Sequence, residues 1–265
     1  MVTSFDILVD AVALVFLTVF AVQDWARRDI SDSLVYLFTA ISFSSFIANM
    51  ARGVCSPPVY LIPSLVVDGL VILMVYVLYS LGMIGKGDVF VVAALTLLFP
   101  CPGAGASLHG TVFLPPIITI ILYSTGFIVG YSILKLVYNL LFNHEGLREV
   151  PGKYRALYAL MGSRMRIGQY LEKKFYYPLQ VFKETEKGVL VEYRAGFDAE
   201  KDDPDQYKEA IRRLVERGLV SVENYIWVTY GIPFIVPLLA GLVLFLLAGD
   251  SIIMGPLIAF LRGYS

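Results

Sequence analysis

Residues 85–100 read GKGDVFVVAALTLLFP, a sequence that places an ionisable residue, Asp88, at the start of an apolar run. Carboxylates at membrane depth are rare and costly, so an acid in this position indicates chemistry. The glycines on both sides of Lys86 remove side chains that would exclude an extended ligand backbone, and they permit dihedral angles that other residues avoid. We therefore predict that Gly85, Lys86 and Gly87 form an active-site loop beside Asp88.

The composition around this stretch is that of a polytopic α-helical membrane protein. Of the 265 residues, 57% are hydrophobic and 16% are charged. Six apolar spans are predicted: Phe5 to Val22, Leu34 to Met50, Val59 to Met83, Asp88 to Pro100, Val112 to Phe142 and Tyr225 to Leu247. The fourth is shorter than the roughly 20 residues that cross a bilayer. It fits a membrane if it begins below the surface, at the glycines, which would give Asp88 a recessed, water-accessible position.

A charged and polar stretch, residues 143–224, interrupts the apolar pattern before the last span. Its length is sufficient for a small domain. Segments 175–181 and 189–193 are rich in aromatic and β-branched residues and predict a β-hairpin, and the residues between Asp203 and Gly218 predict an amphipathic helix. We expect six transmembrane helices with a small cytoplasmic α+β domain inserted before the last helix. The expected divisions are residues 1–142, 143–224 and 225–265.

The distribution of cationic residues predicts the orientation of the chain. Of the 21 Lys and Arg residues, 15 lie between Arg148 and Arg217, while Arg27, Arg28 and Lys86 follow the first and third spans. Because cationic loops stay in the cytoplasm, we expect a multi-pass protein of the cell membrane with its N-terminus outside. The polar domain and the loops after the first and third spans would then face the cytoplasm.

A second acid, Asp24, closes the first span, 64 positions before Asp88. Two carboxylates that share one site do not both ionise easily, so one keeps a proton while the other is charged. That arrangement activates water against an amide carbonyl, as in aspartic proteases. The alternative is structural, because an acid at a helix end is often a cap or a solvated flank. The shared membrane face of the two acids favours a catalytic pair.

The helix ends on which the acids lie predict which of them carries the proton. Asp88 is near the positive, N-terminal end of the fourth helix, whereas Asp24 is near the negative, C-terminal end of the first. We expect Asp88 to be the charged base and Asp24 the protonated acid, within a pair that titrates as one coupled unit.

Other polar and small residues permit more than one interpretation. Asp29 and Asp32 follow Asp24 and are either solvated loop acids or contacts for a basic part of the substrate. Gly126 and Gly130 have the spacing that is typical of close helix packing.

The cysteines and histidines offer no pattern of metal ligands. Cys55 and Cys101 fall in predicted external loops, where an oxidising compartment permits a disulfide, but their separation in space is not readable from the sequence. The sequence has no Cys-x-x-Cys pair, and His109 and His144 are isolated. We therefore expect no metal site and no organic cofactor.

Asp24 followed by Arg28 and Ile30, together with Gly85 to Asp88, resembles the motifs of the type IV prepilin peptidases, which are GxGD-type intramembrane aspartic proteases. The architecture of six spans with a cytoplasmic domain before the last, and segments 156–180 and 231–237, are similar to the archaeal branch, the preflagellin (prearchaellin) peptidases. The resemblance covers nearly the whole chain.

The resemblance implies removal of the short basic leader from archaellin or type IV pilin-like precursors at the cytoplasmic membrane face. Asp24 and Asp88 match the catalytic pair of the family, and the precursors and the lipid bilayer would be the partners, with no nucleic acid. Ser31 and Asp32 stand where prepilin peptidases often have proline and asparagine, which leaves the details of substrate pairing open. The bacterial tetracysteine element is absent from this sequence, so methylation of the new N-terminus is not implied.

Three other functions fit parts of the sequence. A presenilin or signal-peptide-peptidase type enzyme shares Gly-x-Gly-Asp, but it normally has tyrosine before its other acid, where this chain has Gln23. A proton-coupled transporter would place its acids near the bilayer midplane, whereas both acids here are at one face. A non-catalytic membrane assembly factor is the third alternative.

Overall fold

The computed structural model describes residues 3–55, 58–102, 104, 113–186, 188–197 and 202–262. His109, and Val112 at the predicted start of the fifth span, lie outside the described residues. The chain divides into two compact units, one formed by Met1–Ile128 with Pro233–Ser265 and the other by Val129–Ile232. Both predicted catalytic acids belong to the first unit. The limits of the units differ from the predicted divisions at residues 142 and 224.

Apolar helices build the first unit. Along the chain these are α1 (Ser4–Arg27), α2 (Asp32–Ala51), α3 (Pro58–Ser80), α4 (Lys86–Leu98), α5 (Pro116–Phe142), which continues into the second unit, α10 (Ile235–Ala248) and α11 (Ser251–Arg262). Within the described residues, α1, α2, α3 and α5 are long and apolar enough to cross a membrane. The chain is therefore a mostly helical membrane protein.

Two of the six predicted spans are shorter than a bilayer requires. α4 has 13 residues and α10 has 14, so each is about 20 Å long, whereas the hydrocarbon core is about 30 Å thick. The last span was expected to begin at Tyr225, but residues Tyr225–Tyr230 form a strand and the helix starts only at Ile235. Length and composition thus support four of the six spans directly.

α4 lies in the interior of the helical unit. It packs against α2 and α3 and contacts α1, while α1 packs along α10. Val91, Val92, Leu95 and Leu98 of α4 are fully buried. Because apolar neighbours surround these side chains, the position of α4 is fixed, and with it the position of the acid in its first turn.

A disulfide joins Cys55, just after α2, to Cys101, just after α4, with their Cα atoms 5.8 Å apart. The two sulfurs are buried with Ala104 in a small apolar cluster. The sequence permitted this bond but did not establish it. The bond tethers α4 at the end opposite to Asp88.

The second unit mixes short helices and strands, as predicted for an α+β domain. Its elements are the end of α5, α6 (His144–Glu149), α7 (Gly152–Met161), β1 (Gly162–Arg166), α8 (Ile167–Glu172), β2 (Tyr176–Pro178), β3 (Gln180–Thr185), β4 (Gly188–Tyr193), α9 (Pro204–Glu216) and β5 (Tyr225–Tyr230). β1, β5 and β2 form an antiparallel sheet in that order, and β3 pairs with β4 in a separate hairpin.

The sequence predicted some elements of the second unit correctly and others wrongly. The helix predicted after Asp203 is confirmed as α9, and the Asp203 side chain accepts a hydrogen bond from the Asp205 N–H at 2.9 Å. The predicted hairpin exists, but its first strand begins at Gln180, not at residue 175. Assigning Tyr225–Tyr230 to a membrane span was wrong, since a short run of aromatic and β-branched residues fits a buried strand as well as a helix. Trp227, at the centre of that strand, is buried against Tyr158.

Close helix packing occurs at a glycine other than the predicted pair. A Cβ atom at Gly126 or Gly130 would meet nothing within 4 Å among the described residues, so the packing expected from their spacing is absent there. A Cβ at Gly241 of α10 would instead overlap the Ser124 hydroxyl and the Ile120 carbonyl oxygen of α5. Gly241 therefore allows the backbones of α5 and α10 to approach each other.

We expect Gly241→Ala to lower the free energy of unfolding by about 1 to 3 kcal/mol, because the methyl group forces α10 away from α5. Thermal unfolding of the detergent-solubilised protein measures the effect. Gly126→Ala is the matched control, since it adds the same methyl group to α5 in open space. Equal unfolding temperatures for the two variants would contradict this packing.

Candidate active site

Asp24 lies in the last turn of α1 and is buried, with 9% of its surface exposed. Its Oδ2 accepts a hydrogen bond from the backbone N–H of Ile235 at 3.1 Å. Ile235 is the first residue of α10, and the first N–H groups of a helix have no partner within the helix. The carboxyl group therefore satisfies one of these donors, at the end of α10 that favours negative charge.

Asp88 lies in the first turn of α4 and is half-buried. Its Oδ2 accepts a hydrogen bond from the backbone N–H of Gly85 at 3.0 Å, and its own N–H donates to the Gly85 carbonyl oxygen at 3.2 Å. Gly85 has no side chain, so the capping interaction here is the one made by the carboxyl group of Asp88. Asp88 thus caps the N-terminal end of α4.

The fold brings the two acids together. Their carboxyl groups are close enough to interact electrostatically, although 64 positions separate them in the sequence. Each acid lies at the N-terminal end of a short helix, Asp88 on α4 and Asp24 beside α10. The prediction that Asp24 is protonated considered only the C-terminal end of α1. The N-terminal end of α10 removes the asymmetry on which that prediction depended.

The predicted active-site loop is not a loop beyond Gly85, because Lys86 and Gly87 already belong to the first turn of α4. This turn contacts the segment after α1 through Gly87 and Ile30. A Cβ atom at Gly87 would lie 2.7 Å from the Cδ1 and Cγ1 atoms of Ile30. A larger residue at position 87 would therefore have to displace the side chain of Ile30. A Cβ at Gly85 would lie at an ordinary contact distance, 3.6 Å from Asp88 Oδ2.

The remaining predicted site residues lie near the two acids without joining the pair. Lys86 is exposed, and its Nζ lies 5.9 Å from the centre of the Phe90 ring. Asp29 and Asp32 are exposed on the segment between α1 and α2, and Asp32 is the first residue of α2. Their exposure leaves both the solvated and the substrate-contacting interpretation in place.

Two contacts in the site were missed by sequence reasoning: the hydrogen bond from the Ile235 backbone N–H to Asp24 and the contact of the Ile30 side chain with Gly87. The sequence does contain a signal for the free N–H of Ile235. Pro233 and Pro237 flank the start of α10, and proline favours the first turn of a helix. Pro237 has no N–H, so Ile235 and Val236 supply the free donors of that turn. No sequence signal shows that Asp24, on another helix, accepts one of them.

Two carboxyl groups in one partly buried site can divide the roles of general acid and general base. The pair is formed by side chains from separate helices of a membrane-embedded unit, so fold and site together define a membrane protein with an acid pair suited to proton transfer. In aspartic proteases, such a pair activates water and polarises an amide carbonyl.

Comparisons with known families identify the class as a peptidase. A model described as the type IV leader peptidase family matches residues 11–133, and a model described as archaeal peptidase A24 C-terminus type II matches residues 154–251. The first match contains both acids and the second contains Ile235. A comparison with curated proteins gave no match. The chain belongs to the type IV leader peptidase family, that of the prepilin and preflagellin peptidases, and this family processes prepilin-like precursors.

We expect Gly87→Ala to lower the rate of precursor cleavage about ten- to hundredfold, because the added methyl group displaces Ile30 and shifts the helix ends that carry the two acids apart. The double variant Gly87→Ala/Ile30→Ala should recover most of that loss, since it removes the atoms that the methyl group meets. Initial cleavage rates of a prepilin-like precursor in detergent measure both effects. A double variant as slow as Gly87→Ala would show that the contact with Ile30 is not the reason for glycine.

Proposed function

We propose that this peptidase is an aspartic endopeptidase whose catalytic residues are Asp24 and Asp88, and that it removes the short basic leader from archaellin or type IV pilin-like precursors. The observation that carries the proposal is the meeting of two carboxyl groups from separate helices, each at the start of a short helix. The family to which the chain belongs supports the substrate class.

The pair can hydrolyse an amide bond with water as the only other reactant. In the first step, the charged carboxylate takes a proton from water, the water oxygen bonds to the scissile carbonyl carbon, and the protonated carboxyl group gives its proton to the carbonyl oxygen. In the second step, the newly protonated carboxyl group delivers its proton to the amide nitrogen, the other takes a proton from a hydroxyl of the tetrahedral intermediate, and the C–N bond breaks. The pair returns to its starting protonation state and releases an amine and an acid.

The lengths of α4 and α10 support a recessed site. Each helix is about 10 Å shorter than the hydrocarbon core and begins at one of the two acids. Helices that reach the far membrane surface from this start would place the acids about 10 Å below the near surface. That depth suits a scissile bond at the boundary between a polar leader and an apolar helix.

The charge pattern supports a cytoplasmic site in a six-span protein of the cell membrane. Arg27, Arg28 and Lys86 lie at the ends of α1 and α4 that carry the acids, and 15 of the 21 cationic residues lie between Arg148 and Arg217. The disulfide Cys55–Cys101 lies beyond the other end of α4, which fits an oxidising compartment on that side. A leader that stays in the cytoplasm would reach the acids from the cationic side.

The exposed acids Asp29 and Asp32 are suited to hold the leader. They lie on the segment that follows Asp24, and their side chains are open to solvent. A leader rich in Lys or Arg would bind more tightly next to these acids. The gain in binding free energy is small, because exposed charges in water interact by only about 1 kcal/mol or less. We therefore assign them a part in leader binding and not in the cleavage step.

We expect Asp24→Asn and Asp88→Asn each to lower leader removal about a thousandfold or more, because each substitution removes one of the two proton-transferring groups. Membranes that contain each variant are incubated with a tagged precursor, and loss of the leader is followed on a gel.

Asp68→Asn is the matched control for these variants. It removes another buried carboxyl group, in the middle of α3 and outside the proposed site, and it should retain the parental rate. If either Asp24→Asn or Asp88→Asn processes the precursor like the parent, the two-acid mechanism is wrong.

A further inference from the structure

Two lysines of the second unit lie among tyrosines at one end of its three-stranded sheet. Lys135 of α5 is half-buried, and its Nζ donates to the Ser163 Oγ at 2.6 Å and lies 5.8 Å from the centre of the Tyr131 ring. Lys173, which follows α8, is exposed, and its Nζ lies 5.3 Å from the centre of the Tyr176 ring. At these distances an aromatic ring attracts a cation, so the tyrosines hold both ammonium groups in place.

The register of the sheet brings the contacts of the two lysines to one face. Ser163 of β1 pairs with Val228 of β5. Tyr176 of β2 pairs with Tyr230, two residues further along β5, and the two rings are 5.1 Å apart. Because alternate residues of a strand point to the same face, Ser163 and Tyr230 are diagonal neighbours, about 7 to 8 Å apart. We call the following side chains the lysine–tyrosine cluster: Tyr131, Lys135, Ser163, Lys173, Tyr176 and Tyr230.

The positive charge of the lysine–tyrosine cluster has no acidic partner in the described part of the chain. The ion pairs described in the second unit belong to other cations, and none of them includes Lys135 or Lys173. The Ser163 hydroxyl that Lys135 contacts is neutral, so this hydrogen bond leaves the charge of the ammonium group uncompensated. Two ammonium groups beside tyrosine hydroxyls, which can also donate hydrogen bonds, fit an anion. They would repel the basic leader of the proposed substrate.

The position of Lys135 along α5 indicates that this anion belongs to the membrane. α5 is one of the helices long and apolar enough to cross a bilayer. Its segment from Pro116 to Lys135 is about 30 Å long, which matches the thickness of the hydrocarbon core. Leu134, next to Lys135, is 70% exposed, and Phe142 at the end of α5 is also exposed, so an apolar surface continues through this region. Lysine and tyrosine are typical of such an interface, where the lysine stem lies along apolar groups and the ammonium group reaches the lipid headgroups.

We propose that the lysine–tyrosine cluster binds the phosphate headgroup of an anionic membrane lipid. Lys135 and Lys173 donate charge-assisted hydrogen bonds to the phosphate oxygens, and the acyl chains lie along the exposed apolar side chains of α5, which include Leu134. A headgroup held in this way fixes the end of α5 at the membrane surface. The cluster belongs to the second unit and the acid pair to the first, so the proposal does not depend on the mechanism of cleavage.

Native mass spectrometry of the full-length protein in a neutral detergent tests the site. Phosphatidylglycerol is the anionic probe and phosphatidylcholine, which has no net charge, is the comparison lipid. We expect the first phosphatidylglycerol to bind more tightly than phosphatidylcholine, and we expect Lys135→Gln and Lys173→Gln each to weaken its binding about fivefold, since each removes one cation beside an anionic headgroup. Equal affinities for the two lipids, or an unchanged affinity in both variants, would overturn the proposal.

Lys174→Gln is the matched control, because Lys174 is exposed, follows Lys173 directly and loses the same charge. Its affinity for phosphatidylglycerol should change less than about twofold, and a loss equal to that of Lys173→Gln would reduce the effect to general charge and contradict the site. Lys135→Arg separates binding from folding, since it keeps the cation and should keep the affinity. Because Lys173 is exposed, Lys173→Gln should unfold at the parental temperature without lipid, so its loss of affinity reports on the site alone.

Inorganic phosphate distinguishes a lipid from a soluble anion. The lipid is held by its acyl chains as well as by its headgroup, so an excess of inorganic phosphate should leave the complex with phosphatidylglycerol intact. Displacement of the lipid by inorganic phosphate would show that the cluster takes a soluble anion and would overturn the assignment to a membrane lipid.

Discussion

The hydrogen bond from the Ile235 backbone N–H to Asp24 Oδ2 connects two helices whose bonded residues are 211 positions apart. A buried backbone N–H without a partner costs free energy comparable to a lost hydrogen bond. The start of α10 therefore needs an acceptor, and the end of α1 supplies it. The same bond orients the carboxyl group of Asp24, so the pairing of α1 with α10 and the geometry of the site depend on one interaction.

The carboxyl group of Asp88 likewise makes a hydrogen bond that the fold needs, within the proposed site. Its carboxyl group caps α4 through the Gly85 N–H, and α4 is fixed by burial among its neighbours and by the Cys55–Cys101 bond beyond its other end. The sequence posed helix capping and catalysis as alternatives for each acid. In the structure, each acid makes a helix-end hydrogen bond and the two carboxyl groups interact electrostatically, so capping does not exclude a catalytic role.

The residues that the sequence predicted well are those with local signals. The apolar runs of α1, α2, α3 and α5, and the Asp203-Pro204 start of α9, depend on neighbours within one or two turns, and the structure contains all of them. The strand Tyr225–Tyr230 was misassigned, because an aromatic and β-branched run is compatible with both a buried strand and the first part of a span. Its partners, β1 and β2, lie about 50 residues or more upstream, beyond the reach of a local pattern.

The same difference between local signals and long-range contacts applies to the site. Asp24, Asp88 and the glycines were identified because acids and glycines at the ends of apolar runs are unusual. The contacts that position them, from Ile235 to Asp24 and from Ile30 to Gly87, join segments remote in sequence through a backbone N–H and an ordinary aliphatic side chain. Neither group carries a distinctive chemical signal. The prediction of which acid carries the proton did not consider α10 for this reason, and it stays a prediction.

Cross-linking of the variant Asp24→Cys/Asp88→Cys tests most directly that the two acids occupy one site. The native cysteines are already paired with each other, and a protease site introduced between the end of α2 and Cys55 separates the two positions while leaving both native cysteines in one fragment. If positions 24 and 88 belong to one site, a short thiol cross-linker should join the two introduced thiols rapidly, and the two fragments should then stay together after proteolysis. The control pair Asp24→Cys/Asp68→Cys should separate. Fragments that separate in both variants, or that stay together equally in both, would contradict the account.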